Sequence, residues 1–233
     1  MTRLVVIARH CTERRGQKPR PAWFDKGVAL ATVQAEVAPE DLVVVYDCAA
    51  PSDLPAYATR AAQGGARVVV APSGSDRLCM RAATHVALTS DLADDDIVYF
   101  VEDDYVHRPG WRRVLLEAFE HGVADYITLY DHPDKYPTAA TSIRLTPSCH
   151  WRAAASTTNT WACRVTTLKR DLAIHKHFLG LPGHHVDHEK FVALGAASAT
   201  LATALPGWST HCHEPLLSPA IDWAPSDHLE SLD

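Results

Sequence analysis

The stretch Ile97–Tyr105 reads IVYFVEDDY, five apolar residues ended by three carboxylates in a row. A run of that length, rich in β-branched and aromatic residues, predicts a strand buried on both faces. Working outward, the same pattern recurs at Leu4–Ala8 (LVVIA), Asp41–Tyr46 (DLVVVY) and Arg67–Ala71 (RVVVA). Helical patterns lie between these runs. One covers roughly Lys26–Val37, with Val28, Leu30, Val33 and Val37 as its apolar positions, and another covers Ala56–Gln63, closed by Gly64-Gly65. A third runs from Ser75 or Asp76 to Leu88. Apolar strands separated by helices predict an α/β fold whose central sheet is mostly parallel and flanked by helices. Ligands of such sheets collect beyond the carboxyl ends of the strands. The informative positions are then Arg9 and His10, Asp47, Pro72 to Gly74, and Glu102-Asp103-Asp104.

Beyond Asp104 the alternation weakens. A helix is expected at Pro109–His121, with proline in its first turn, and a strand at Tyr126–Tyr130. Residues 131–163 show no clean period. Helices are expected near Thr166–Phe178 and Asp187–Leu201, and loop from Leu205 onward.

The chain has 233 residues, 47% of them hydrophobic and 21% charged, a composition suited to one globular unit. Its formal charge of -6 argues against a partner that needs clustered cations, such as nucleic acid. No apolar run approaches the length of a membrane span, and none forms a secretion signal. Six cysteines are scattered without a CxxC pair, as expected of reduced thiols in a cytoplasmic protein.

The chemistry begins with the acidic triplet. Adjacent carboxylates repel unless a cation holds them, and a divalent ion such as Mg²⁺ or Mn²⁺ takes oxygen ligands and shares them with substrate phosphates. In extended backbone Glu102 and Asp104 face one ligand while Asp103 faces away. The plain alternative is a solvated acidic turn ahead of a helix. Arg77 and Arg81 are spaced i, i+4 and share a helical face that reaches a diphosphate or simply meets water. Arg14, Arg15, Lys18 and Arg20 form a basic loop after the first strand that could close over phosphate, with surface charge as the simpler reading. His184, His185 and His188 crowd Asp187, with a spacing that matches no zinc hydrolase motif. Trp151, Trp161, Trp208 and Trp223 suit either a core or a sugar-binding wall.

Taken in order, these segments resemble the GT-A glycosyltransferases, family 2-like, which use a nucleotide diphosphate-sugar. Ile97–Trp111 (IVYFVEDDYVHRPGW) is similar to their DxD region, and Val43–Asp53 (VVVYDCAAPSD) to the motif that holds the nucleobase. Gly183–Phe191 (GHHVDHEKF) resembles the helix start that supplies the base of inverting members, with Val186 where the family has Glu. Thr210-His211-Cys212-His213 resembles the C-terminal metal-binding histidine.

The resemblance implies a single GT-A-like, Rossmann-like domain over 1–233, with 1–104 binding the nucleotide-sugar and 105–233 serving acceptor and catalysis. It implies a metal-dependent transferase, inverting, with Mn²⁺ or Mg²⁺ held by Glu102, Asp104, His211 and His213. Donor contacts fall to Arg9, Asp47, Arg77, Arg81 and Asp103. Asp187 is the expected base, or Glu189 two positions on, and N-capping is the plain alternative for Asp187. The acceptor is a small molecule, a glycan or a peptide. A sugar nucleotidyltransferase is the rival reading, weakened because Ala8-Arg9-His10-Cys11-Thr12 lacks a glycine-rich loop. A non-catalytic nucleotide- or carbohydrate-binding module is the third.

Overall fold

The computed structural model describes residues 2–12, 18–136, 142–181 and 186–224. Arg14, Arg15, His184 and His185 lie outside the described residues. In chain order the first elements are β1 (Leu4–Cys11), α1 (Lys26–Gln34), β2 (Leu42–Asp47), α2 (Ala56–Gln63), β3 (Arg67–Val70), α3 (Asp76–Thr89) and β4 (Ile97–Glu102). There follow β5 (Tyr105–His107), α4 (Trp111–Glu120), β6 (Tyr126–Thr128), β7 (Ile143–Leu145), β8 (His150–Ala153) and β9 (Trp161–Arg164). The last are α5 (Val165–Arg170), α6 (Leu172–Gly180), α7 (Val186–Ala196), β10 (Leu201–Leu205) and β11 (Ser209–His211).

Local chemistry sets the boundaries. Asp25 caps α1 by accepting from the amides of Gly27 and Val28, 2.7 and 3.2 Å away. Ser75 caps α3 through the Leu78 amide at 3.3 Å. Gly110 precedes α4 with φ +89°, a left-handed conformation that glycine adopts without strain, and its amide donates to the Glu36 carboxylate.

Nine strands form one sheet in the order β3-β2-β1-β4-β9-β6-β10-β8-β7. Neighbours β3, β2, β1 and β4 are parallel, as are β6 and β10, whereas β9 and β8 run against both of their neighbours. The sheet is therefore mostly parallel in direction, with the antiparallel pairings in its later half. A separate two-stranded ribbon pairs β5 with β11.

Strand alternation divides the core in two. Leu4, Val6, Ala8, Val44, Tyr99 and Val101 pack under α1, α2 and α4. Val5, Ile7, Val43, Val45, Val98 and Phe100 pack under α3 and α5 to α7. Both faces are thus covered, as expected of strands this apolar, and each fully buried aliphatic side chain contributes about 1.5–3 kcal/mol.

Residues 131–163, which showed no period, contain three of the antiparallel strands. The helix expected at Thr166–Phe178 is two, α5 and α6, broken at Asp171. The helix expected to reach Leu201 stops at Ala196, and the chain turns into β10 and then β11.

Candidate functional site

The strand register aligns the candidate residues. Arg9 lies opposite Glu102, and Cys11 opposite Asp47, so β1, β2 and β4 finish close together. Asp47 Oδ1 accepts from the amides of Ser73 and Gly74, 2.9 Å from each, tying the β3–α3 loop to the end of β2.

Each carboxylate of the acidic triplet meets a cation from this chain. Glu102 Oε1 lies 3.0 Å from Arg9 Nη2, and Arg9 Nη1 donates to Asp76 Oδ1 at 2.6 Å. Burial pushes Glu102 up to about 8, against the pull of Arg9. Arg9 is itself buried, and although burial opposes its charge, Asp76 and Glu102 hold it firmly protonated.

Asp103 points to the opposite face of the sheet. Its Oδ2 lies 2.7 Å from Lys26 Nζ on α1 and accepts from the Cys11 amide at 3.0 Å. Asp104 Oδ2 lies 2.8 Å from Arg20 Nη2 and 2.9 Å from His211 Nε2. Burial alone would raise Asp104, but His211, Arg20 and Lys18 hold it well below the usual carboxylate range.

The extended triplet expected from sequence is corrected here: residues 103 and 104 form a turn between β4 and β5. Period-two alternation holds through Glu102 and Asp103, then fails. Glu102 faces Arg9, and Asp104 faces the β5–β11 ribbon.

That ribbon explains the meeting of Asp104 with a histidine 107 residues away. His211 lies opposite Tyr105 in the register, and their rings stack at 5.0 Å. The Cys212 amide donates to the Asp104 carbonyl at 2.7 Å, fixing the same junction through the backbone. His213 follows, its ring 5.7 Å from that of His211.

Asp187 sits inside the first turn of α7, which begins at Val186, so the N-cap alternative is not its position. It is half-buried and acts electrostatically on both Glu102 and Lys190. Glu189 and His188 are exposed. Lys190, one helical turn from Asp187, is buried, with its Nζ donating to Asn159 Oδ1 at 2.8 Å and lying 5.1 Å from the Trp161 ring centre. Burial lowers it to about 8.

Arg77 and Arg81 do not act together. Arg77 Nη1 donates to the Leu179 carbonyl at 2.8 Å and joins α3 to α6, while Arg81 is exposed along a groove of about 830 Å³ between those helices.

Sequence reasoning missed Lys26 and Lys190 and treated Lys18 and Arg20 as surface charge. The available signal was a lysine on the apolar face of a helix: Lys190 lies beside Phe191, in register with Leu194.

No protein-family model matches the chain, and no curated protein matches it. Among solved structures, S. aureus TarS (residues 1–349) in complex with UDP-GlcNAc is similar, with a TM-score of 0.51 at 14% identity over 87% of this chain and 56% of that one. The chain has a GT-A-like fold. It spans little more than half the length of the TarS chain. A second structure of S. aureus TarS 1–349 matches at a TM-score of 0.49 and 12% identity, over 85% of this chain and 57% of that one. A 4-diphosphocytidyl-2C-methyl-D-erythritol synthase matches at 0.47 and 16%, over 84% and 86%.

The carboxyl edge of this GT-A-like sheet gathers donor groups of the kind a divalent ion takes. A carboxylate and an imidazole adjoin at Asp104 and His211, and the buried Nδ1 of His213 beside them has no hydrogen-bond partner. Burial, with the cations around it, keeps His213 below its ordinary value, favouring the neutral form that binds metals. These donors fit. Among the described residues no group of three or more His, Cys, Asp or Glu forms a ready cage. An ion here would draw its remaining ligands from substrate oxygens and water, as Mg²⁺ commonly does. Glu102, one of the expected ligands, is paired with Arg9 and also feels the charge of Asp104. No helix among the described residues is long and apolar enough to cross a membrane, and Cys48, Cys79, Cys149, Cys163 and Cys212 are free thiols.

Proposed function

We propose that this chain transfers a sugar from a nucleoside diphosphate-sugar to an acceptor hydroxyl on a small molecule, glycan or peptide, inverting the anomeric centre. The observation that carries this reading is the meeting of Asp104 and His211 at 2.9 Å, across 107 residues, beyond the carboxyl ends of the parallel strands. Asp104 and His211, with His213 beside them, would hold Mn²⁺ or Mg²⁺, which as a Lewis acid stabilises negative charge on the departing diphosphate.

The chain's own residues do the rest. The ends of β1 and β2 receive the nucleotide, with Asp47 shaping the loop beneath it and Arg9 fixing Glu102 for the ribose. Asp187 takes the proton of the acceptor hydroxyl as that oxygen bonds to carbon, and the half-buried first turn of α7 keeps the carboxylate within the site. Residues 1–104 serve the donor and 105–233 the acceptor and catalysis.

A thermal-shift panel of nucleoside diphosphates with and without Mn²⁺ tests the reading, because a ligand of the native state raises Tm. One diphosphate is expected to stabilise the protein strongly and only with metal. UDP-GlcNAc, the ligand named for the TarS complex, is the first donor to assay for release of free sugar. A panel flat for every nucleotide, with no donor hydrolysed, would overturn the proposal.

A further inference from the structure

Arg20 is anchored more firmly than a surface cation. Its Nη1 donates to the Cys212 carbonyl at 2.7 Å, its Nη2 lies 2.8 Å from Asp104 Oδ2, and its guanidinium lies over the Phe24 ring at 5.0 Å. The neighbouring Pro19 carbonyl accepts from the Glu214 amide at 3.1 Å, so this segment is laced to the chain just past His213. Lys18 Nζ lies 3.4 Å from His211 Nε2. Two of the three groups assigned to the divalent ion, Asp104 and His211, therefore already face a positive charge. The oxygen of Asp104 that Arg20 approaches is the same one that His211 approaches. A guanidinium and a metal ion on one carboxylate oxygen repel each other at that range, in surroundings where water screens little.

We propose that Arg20 is a resident counter-ion of the Asp104–His211 pair, which a divalent ion displaces when a diphosphate arrives to receive the guanidinium. The inference rests on the reading of Asp104 and His211 as metal ligands. The planar fork of arginine matches phosphate oxygens as well as it matches a carboxylate. The exchange keeps the charge of the site balanced: the ion goes to Asp104, and Arg20 goes to the phosphate. Metal and donor then bind cooperatively, and the donor-free protein holds divalent ions weakly. Lys18 acts in the same sense on His211.

The test measures Mn²⁺ binding to the full chain by the EPR signal of the free ion, first without nucleotide. Arg20→Gln is expected to bind Mn²⁺ at least fivefold more tightly than wild type. The gain in Mn²⁺ affinity on adding UDP should be smaller in that variant than in wild type, because the coupling has been removed. Arg20 also supports the Cys212 carbonyl, so Lys18→Gln, at an exposed position, provides a second variant, expected to bind two- to threefold more tightly. Affinity in these variants equal to or weaker than wild type overturns the counter-ion role and leaves the metal reading standing. Absence of Mn²⁺ binding in every form, with UDP as well as without, overturns the metal reading and this inference together.

Discussion

Oδ2 of Asp104 is approached by both His211 and Arg20, which makes it the most sensitive single atom of the site. Asp104→Asn keeps the side chain's shape and removes its charge. Donor turnover is expected to fall by roughly 100-fold or more, the scale of losing one group that stabilises transition-state charge, with an unchanged circular dichroism spectrum. Steady-state kinetics across a Mn²⁺ series would check this, and wild-type turnover at ordinary metal concentration would remove Asp104 from the site. Asp103 behaves differently because it is spent on structure. Asp103→Asn leaves Lys26 without its carboxylate in a mostly buried place, a loss of about 2 kcal/mol. In a chain of this size that corresponds to a fall of about 5 °C in Tm. An unaltered Tm would show the Asp103–Lys26 pair to be energetically idle.

Helix α7 sorts its acidic residues by face, which turns an ambiguous motif into a contrast. Asp187 is half-buried within electrostatic reach of Glu102 and Lys190, and Glu189 is exposed. Asp187→Asn is expected to lower kcat by about 100-fold or more, as for a lost general base, with donor affinity kept and an inverted product by NMR. Glu189→Gln should leave kcat within about twofold, since exposed substitutions rarely perturb a site. A retained anomeric configuration would remove the need for Asp187 as base. The same element scale shows what the sequence could and could not say. Strands β1 to β4 were legible because apolar runs bounded by turn residues admit one reading. Strands β5, β7, β8 and β11 are three or four residues long and carry histidine, arginine and tryptophan, so no period accumulates. The motif residues of the site could be picked out one by one. Their grouping depended on the β4–β5 turn and the β5–β11 ribbon, both tertiary in origin.

Across the whole molecule, three buried histidines link stability to pH. Burial is the first cause in each case, lowering His10 to about 4 and both His107 and His175 to about 3. Unfolded, these imidazoles take up protons below about 6.5, while folded they stay neutral until their lowered values are reached. Between those limits the unfolded chain binds more protons, so stability must fall as pH drops from 6.5 toward 4. Urea midpoints measured at half-unit pH intervals should decline over this window, and the decline should weaken in His107→Gln. A midpoint constant from pH 6.5 to 4.5 would contradict the burial assigned to these rings. The order of strands in the sheet has a consequence for synthesis. Strand β4 lies between β1 and β9, and β9 leaves the ribosome only after β5 to β8 have been made. Until then a nascent chain carries a strongly apolar strand with one row of amides and carbonyls open, the arrangement that invites pairing with another chain. Stalled translation just past the acidic triplet would therefore leave an aggregation-prone intermediate, and residues 1–104 would depend on the arrival of the later strands for their solubility.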